Sequence, residues 1–354
     1  MTARTTPRRL ARRFGPLAIS IAVIAAVGLL VAWKLDWATL DRVIHPASWA
    51  FLFVAIGANF TSVVMKGFAW KGVVDGLPNL ERRTRFRDLI SPLFVGFLFN
   101  TVLAARLGEV VKVVLVRRRL KSEGHDIRAT TLLGTIVAEN LVATIAWVVL
   151  VVSIGIFLPL PTYAWLASIG LGVVCLAIIL AALSRRASGG SLPSWVARSR
   201  IGTRIGRAIA RLWAAVRESH RALRHPRQMA IVVSACIATW IAQWAGIYAT
   251  LNAFGLERVG WGGAGLLLVT VTLAQAFPVL PGNLVVFQAA AVLPLTQSYG
   301  VGAGQALGFS VVLQFTEAIV GVAIGFLFLM SEGISFGQLR REAEAEGLED
   351  SVGE

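Results

Sequence analysis

Apolar residues gather into runs near 15–34, 47–66, 129–157, 163–183, 229–251 and 305–330. Each meets the length of about 17–25 residues that a bilayer-spanning helix requires. Two further apolar regions, 89–116 and 261–297, are long but interrupted. The first breaks at Asn100-Thr101 and again at Arg106-Leu107-Gly108-Glu109. The second breaks at Phe277-Pro278-Val279-Leu280-Pro281-Gly282-Asn283, where two prolines and a glycine end a helix. The pattern predicts an all-α polytopic integral membrane protein with six full spans and two interrupted segments, about eight helices in all.

Basic residues then orient the spans. Of 34 Lys and Arg, five lie in 1–14, six in 66–88, seven in 106–128 and eleven in 184–228. By the positive-inside rule these stretches face the cytoplasm, with both termini inside and the protein in the inner (plasma) membrane. Both ends of 89–116 are flanked by basic residues, and about 28 residues are too few for two full crossings, which need about 40. A re-entrant hairpin is the economical reading, with 89–105 descending and 107–116 returning. Two short, tilted crossings satisfy the same end-point parity. One interrupted region falls in each half of the chain, a hydropathy pattern that points to a midplane binding site in transporters.

Composition fits this picture. The chain has 354 residues, 56% hydrophobic and 15% charged, with a mean hydropathy of +0.72. The organisation is a basic N-terminus (1–14), one transmembrane domain (15–330) and an acidic, disordered cytoplasmic tail (331–354). The first run ends in Ala32-Trp33-Lys34-Leu35-Asp36 without a small-residue cleavage pattern, so it reads as an uncleaved span. The net charge of +15 sits where topology places it, against anionic headgroups, and excludes nucleic acid as a partner. In loop 184–228, Ile201, Ile205, Ile209, Leu212, Trp213, Val216 and Leu223 recur at helical spacing among arginines. That fits a helix lying on the inner leaflet, or a solvated helix packed on the protein's own base.

Candidate chemistry is sparse. Cys175 and Cys236 read as buried small hydrophobes, and the four histidines lack ligand spacing, so no metal or other cofactor is expected. Asn100, Arg106, Gly108, Glu109 and Lys112 form the sharpest polar cluster at membrane depth. Arg106 and Glu109, three apart, could pair on one helix face. Glu139 and Glu317 stand inside long apolar runs, where a carboxyl is either protonated or faced by a cation, with Arg106 and Lys112 as candidates. Gln275, Asn283, Gln288 and Gln314 add polar groups in the second half, some of them expected only to bridge helices. Gly304/Gly308 and Gly321/Gly325 read as close helix packing. Trp33, Trp49, Trp70, Trp147, Trp165 and Trp261 read mostly as interfacial anchors. No histidine or nucleophile–base pair lies at membrane depth, so an enzyme is not expected.

The run from Asn100 to Lys112, Asn-Thr-Val-Leu-Ala-Ala-Arg-Leu-Gly-Glu-Val-Val-Lys, resembles an "N-x-x-x-P-x-R-x-G-E-x-x-R" signature. Leu280-Pro281-Gly282-Asn283-Leu284-Val285-Val286-Phe287-Gln288-Ala289-Ala290 resembles "P-G-G-x-G-x-x-E-A". Both are motifs of the lysylphosphatidylglycerol synthase transmembrane-region family, the flippase-like membrane proteins. The resemblance implies translocation of a polar-headgroup lipid, anionic, aminoacylated or glycosylated. It implies binding roles for Asn100, Arg106, Gly108, Glu109, Lys112, Glu139, Pro281, Gly282, Asn283, Gln288 and Glu317.

The chain departs from the motifs at several positions: Ala104 for proline, Lys112 for arginine, Asn283 for glycine and Gln288 for glutamate. Glu139-Asn140 stands where Glu-Arg is usual, with Ala143 at an expected aspartate. Where the missing groups serve headgroup or proton, the departures imply a different lipid or lost activity. The family's cytoplasmic aminoacyl-transferring domain has no counterpart in these residues, so aminoacylation is not expected. Rival readings are a secondary transporter of a small solute, a membrane-embedded lipid transferase, and a non-catalytic partner of a cytoplasmic synthase docked on loop 184–228. A homodimer is compatible with all of them.

Overall fold

The computed structural model describes residues 46–77, 80, 83–102, 107–125, 127–157, a subset of 162–177, 226–276 and 284–331. The expected span 15–34, most of 163–183, the arginine-rich loop and the tail lie outside these residues, as do Arg106, Pro281, Gly282 and Asn283. The described elements are helical: α1 (Pro46–Val74), α2 (Phe86–Val102), α3 (Leu107–Ser122), α4 (Ala129–Phe157), α5 (Pro226–Ala253), α6 (Gly260–Ala276), α7 (Leu284–Tyr299) and α8 (Ala303–Ser331). Four of them, α1, α4, α5 and α8, are long and apolar enough to cross a membrane, with mean hydropathies of 1.6 to 2.1. Their outward faces carry large apolar side chains, among them Phe53, Ile156, Leu327 and Met330, all at least 65% exposed. A face of that kind is stable against lipid tails and costly in water.

The long helices pack lengthwise. Gly72 lies against Val232, Ser62 accepts a hydrogen bond from Thr239 and Ala55 meets Gly246, so α1 and α5 are antiparallel along their whole contact. Trp70 Nε1 donates to Thr135 Oγ1 at 3.0 Å while Lys66, one turn earlier, reaches Glu139, one turn later, so α4 is antiparallel to α1 as well. α8 runs parallel to α1, with Asn59 Nδ2 donating to the Thr316 carbonyl. Trp70 and Trp147 are 2% and 1% exposed, so both are core residues rather than the interfacial anchors their sequence positions suggest.

Each interrupted region folds into an antiparallel helical hairpin. In α2–α3, Arg119 Nη1 donates to the Arg87 carbonyl near the open end, while the Gly108 N–H donates to Asn100 Oδ1 at the tip. In α6–α7, Gly263 at the start of α6 faces the Tyr299 ring at the end of α7. The arms run from 16 to 17 residues, about 25 Å at the α-helical rise. That is shorter than the roughly 30 Å apolar core of a bilayer. The first hairpin is longer than the apolar window 89–116, because α2 begins at Phe86 and α3 continues through Arg117-Arg118-Arg119 to Ser122.

The two hairpins open toward opposite ends of the molecule. Phe68, near the end of α1, stacks on Phe86 at the mouth of the first. Trp244, near the end of α5, donates to the Trp261 carbonyl at the mouth of the second. Because α1 and α5 are antiparallel, these mouths lie at opposite ends.

α8 joins the hairpins. Its first half packs Ala306, Phe309 and Leu313 into the core around α6–α7. Its second half presses Gly321 against Phe97 and Gly325 against the Phe94 carbonyl of α2, and Phe328 against the Phe94 ring. Between the halves the backbone takes a π-helical turn, Val320–Ile324.

Candidate functional site: a buried charge network beside the first hairpin

The tip of the first hairpin is built on a close backbone approach. A Cβ at Gly108 would collide with the Gly96 carbonyl and the Asn100 side chain, so glycine is required there. The first turn of a helix leaves amides without partners. Asn100 Oδ1 accepts one of them, the Gly108 N–H, at 2.8 Å, and Asn100 Nδ2 donates to Glu109 Oε1 at 3.3 Å. Glu109 also lies where the positive end of the α3 dipole favours an anion. One turn on, Lys112 Nζ donates to both Glu109 oxygens, at 2.9 and 3.0 Å. The same ammonium stands 4.9 Å from the Phe97 ring centroid, a cation–π contact. Lys112 is only 2% exposed, and its stem packs on Gly96.

A second ion pair faces the first. Lys66 on α1 donates to Glu139 on α4 at 3.0 and 3.1 Å, and to Asn140 Oδ1 at 3.2 Å. Glu139 is 3% exposed. Glu109 is near enough for its charge to act on Lys66, so the two pairs form one network of two cations and two anions. Lys66 and Glu139 lie eight and ten residues from the helix ends nearest the basic stretches, and Glu109 thirteen, about 12–20 Å deep at the helical rise. Buried charges at that depth survive only when paired and hydrogen-bonded, and each of these four is.

The network corrects one expectation: Glu139 pairs with Lys66, while Lys112, a cation expected for it, pairs with Glu109. Arg106, expected beside Glu109 or Glu139, lies outside the described residues. Lys66 is hidden from a hydropathy reading because it stands where the apolar window 47–66 stops, among the topology-setting basic residues. The signal was nevertheless present: Gly67-Phe68-Ala69-Trp70 and Gly72-Val73-Val74 continue the apolar pattern, so the helix runs on past the lysine.

Asn100, Gly108, Glu109, Lys112 and Glu139 therefore come together. Gln288 and Glu317 do not join them. Gln288, 9% exposed on α7, donates to Gln314 Oε1 on α8 at 2.6 Å. This amide pair stands where the family motif has a glutamate, and it needs no countercharge. Glu317, at the centre of α8, accepts a hydrogen bond from Gln275 Nε2 of α6 at 3.3 Å. Among the described residues no group of three or more metal-ligating side chains occurs.

Two hairpins inverted against a bundle of long apolar helices, with a charge network beside the first of them, define a polytopic helical membrane protein. The model of the family described as the lysylphosphatidylglycerol synthase TM region matches residues 17–325, and the chain belongs to that family. Membership links it to lipid handling at the membrane. No curated protein and no solved structure matches the chain.

Proposed function

We propose that the chain is a flippase-like lipid translocase of the inner membrane, with both termini cytoplasmic and both hairpins re-entrant. A polar headgroup, anionic, aminoacylated or glycosylated, exchanges into the network at the first hairpin while the acyl chains stay in lipid. The supporting observation is the Lys66–Glu139 and Lys112–Glu109 network. An arriving phosphate can take the place of a carboxylate beside either lysine provided the displaced carboxyl takes up a proton, and a headgroup carrying both charges can pair with a lysine and its carboxylate together, so that no charge is left stranded. Arg106, at the tip of the same hairpin, adds a cation in this reading.

An apolar cleft favours a lipid over a small solute. It lies between α1 and α8, lined by Phe53, Ile56, Phe60, Ile319, Val320 and Ile324 among others, and it opens sideways. The chain makes and breaks no covalent bond in this scheme, and an aminoacylated headgroup would be supplied by a separate synthase.

The test is leaflet exchange of fluorescent phosphatidylglycerol in reconstituted vesicles, read by quenching from outside. Lys112→Ala and Arg106→Ala should each slow exchange at least about tenfold, the equivalent of about 1.4 kcal/mol, at unchanged protein incorporation. Exchange at the wild-type rate in both variants would remove the network from the pathway.

A further inference from the structure

We infer that Glu317 is a proton-carrying site, separate from the headgroup network, through which lipid movement is coupled to the proton gradient. This rests on the translocase reading above. Glu317 lies at the middle of α8, whose 29 residues make it long enough to cross the bilayer, so neither end offers its carboxyl a short route to water. It sits on a small crevice between α1, α5 and α8, lined by Ala55, Asn59, Gln243, Gly246, Thr316 and neighbours.

Among the described residues the groups facing it from α1, α5, α6 and α8 are uncharged. α1 offers Asn59, α5 offers Gln243, α6 offers Gln275 through its hydrogen bond, and α8 offers Thr316. Among the described residues none of these is ionisable. That sets Glu317 apart from Glu109 and Glu139, each of which is held by a lysine. A carboxyl at membrane depth whose described neighbours include no countercharge is carried at lowest cost as the neutral acid. The amides of Asn59, Gln243 and Gln275 can serve either state, since each both donates and accepts.

The crevice has room for about one water-sized occupant, which suits a proton delivered through water and excludes a lipid headgroup. The position also suits coupling. Glu317 touches the second hairpin through Gln275, and one turn further along α8 Gly321 rests on Phe97 of the first. A change of charge at Glu317 is therefore applied to a helix that packs on both hairpins. The step balances simply: the carboxylate takes a proton from one side, and the acid returns it to the other.

Two measurements on the full chain test this. In vesicles, infrared difference spectra across a pH titration should show a carboxylic-acid band that is lost in Glu317→Gln and retained in Glu257→Gln. If the band survives in Glu317→Gln, the site is overturned. It is equally overturned if the band is absent from the wild type and appears only in Arg106→Gln, which would make Glu317 half of an ion pair.

In the exchange assay with fluorescent phosphatidylglycerol, the ratio of rates with and without an imposed pH gradient should exceed about threefold for the wild type. It should fall to one in Glu317→Gln. A wild-type ratio of one, or a rate that follows a sodium gradient at constant pH, overturns the coupling. Absence of any wild-type exchange would instead remove the translocase reading, and the infrared result would still decide the proton site.

Discussion

Glu139 is nearly sealed from solvent, and its lysine reaches it from another helix, 73 positions away in the chain. Breaking such a pair leaves one charge uncompensated, which typically costs about 3–5 kcal/mol, whereas replacing both partners with apolar groups of similar volume is often close to neutral. Lys66→Met alone and Glu139→Leu alone should each lower the thermal stability of the protein in lipid nanodiscs. The double variant should recover most of the loss, and a double variant that is worse than either single would mean the pair is not coupled. Contiguity decides what the sequence discloses at this scale. Asn100, Gly108, Glu109 and Lys112 fall within one stretch of chain, so their grouping is visible in one line of residues. The cross-helix partner of Glu139 is set by how α1 and α4 pack, and no spacing along the chain records it.

The hairpins show the same divide among helices. Their existence is legible, because a break in an apolar run must be accommodated somewhere. Their limits are not, because α3 carries three arginines without losing its helix and α1 runs eight residues past Lys66. Hydropathy marks where the apolar pattern stops, while backbone hydrogen bonding continues until a turn residue intervenes, as at Gly124 with its φ of 89°. Glycine at position 108 is where the close approach of α2 and α3 is decided. Gly→Ala inside a helix ordinarily stabilises by about 1 kcal/mol. Here the added methyl meets the Gly96 carbonyl and Asn100, so Gly108→Ala should destabilise instead and part the hairpin tip. Thermal unfolding in detergent reads the sign, and an increase in stability would show that the tip is open.

Seen whole, the molecule places its two hairpin mouths at opposite ends, an inversion that one broken apolar region in each half does not by itself disclose. In intact cells, Ser122→Cys should label only with membrane-permeant thiol reagents, and Gly302→Cys with impermeant ones as well. Labelling of both from the same side would contradict the inverted arrangement. The π-helical turn at Val320–Ile324 gives this architecture a mechanical signature. A π turn holds one surplus residue, and each residue of an α-helix advances the side chains by about 100°. α8 thus carries a built-in phase slip between the half seated on one hairpin and the half seated on the other. Deleting Ala323 would erase the slip and leave a straight helix whose two faces no longer point at both neighbours together. The expected result is unchanged far-ultraviolet dichroism with a sharply lowered melting temperature: a camshaft still intact, with one of its lobes out of time.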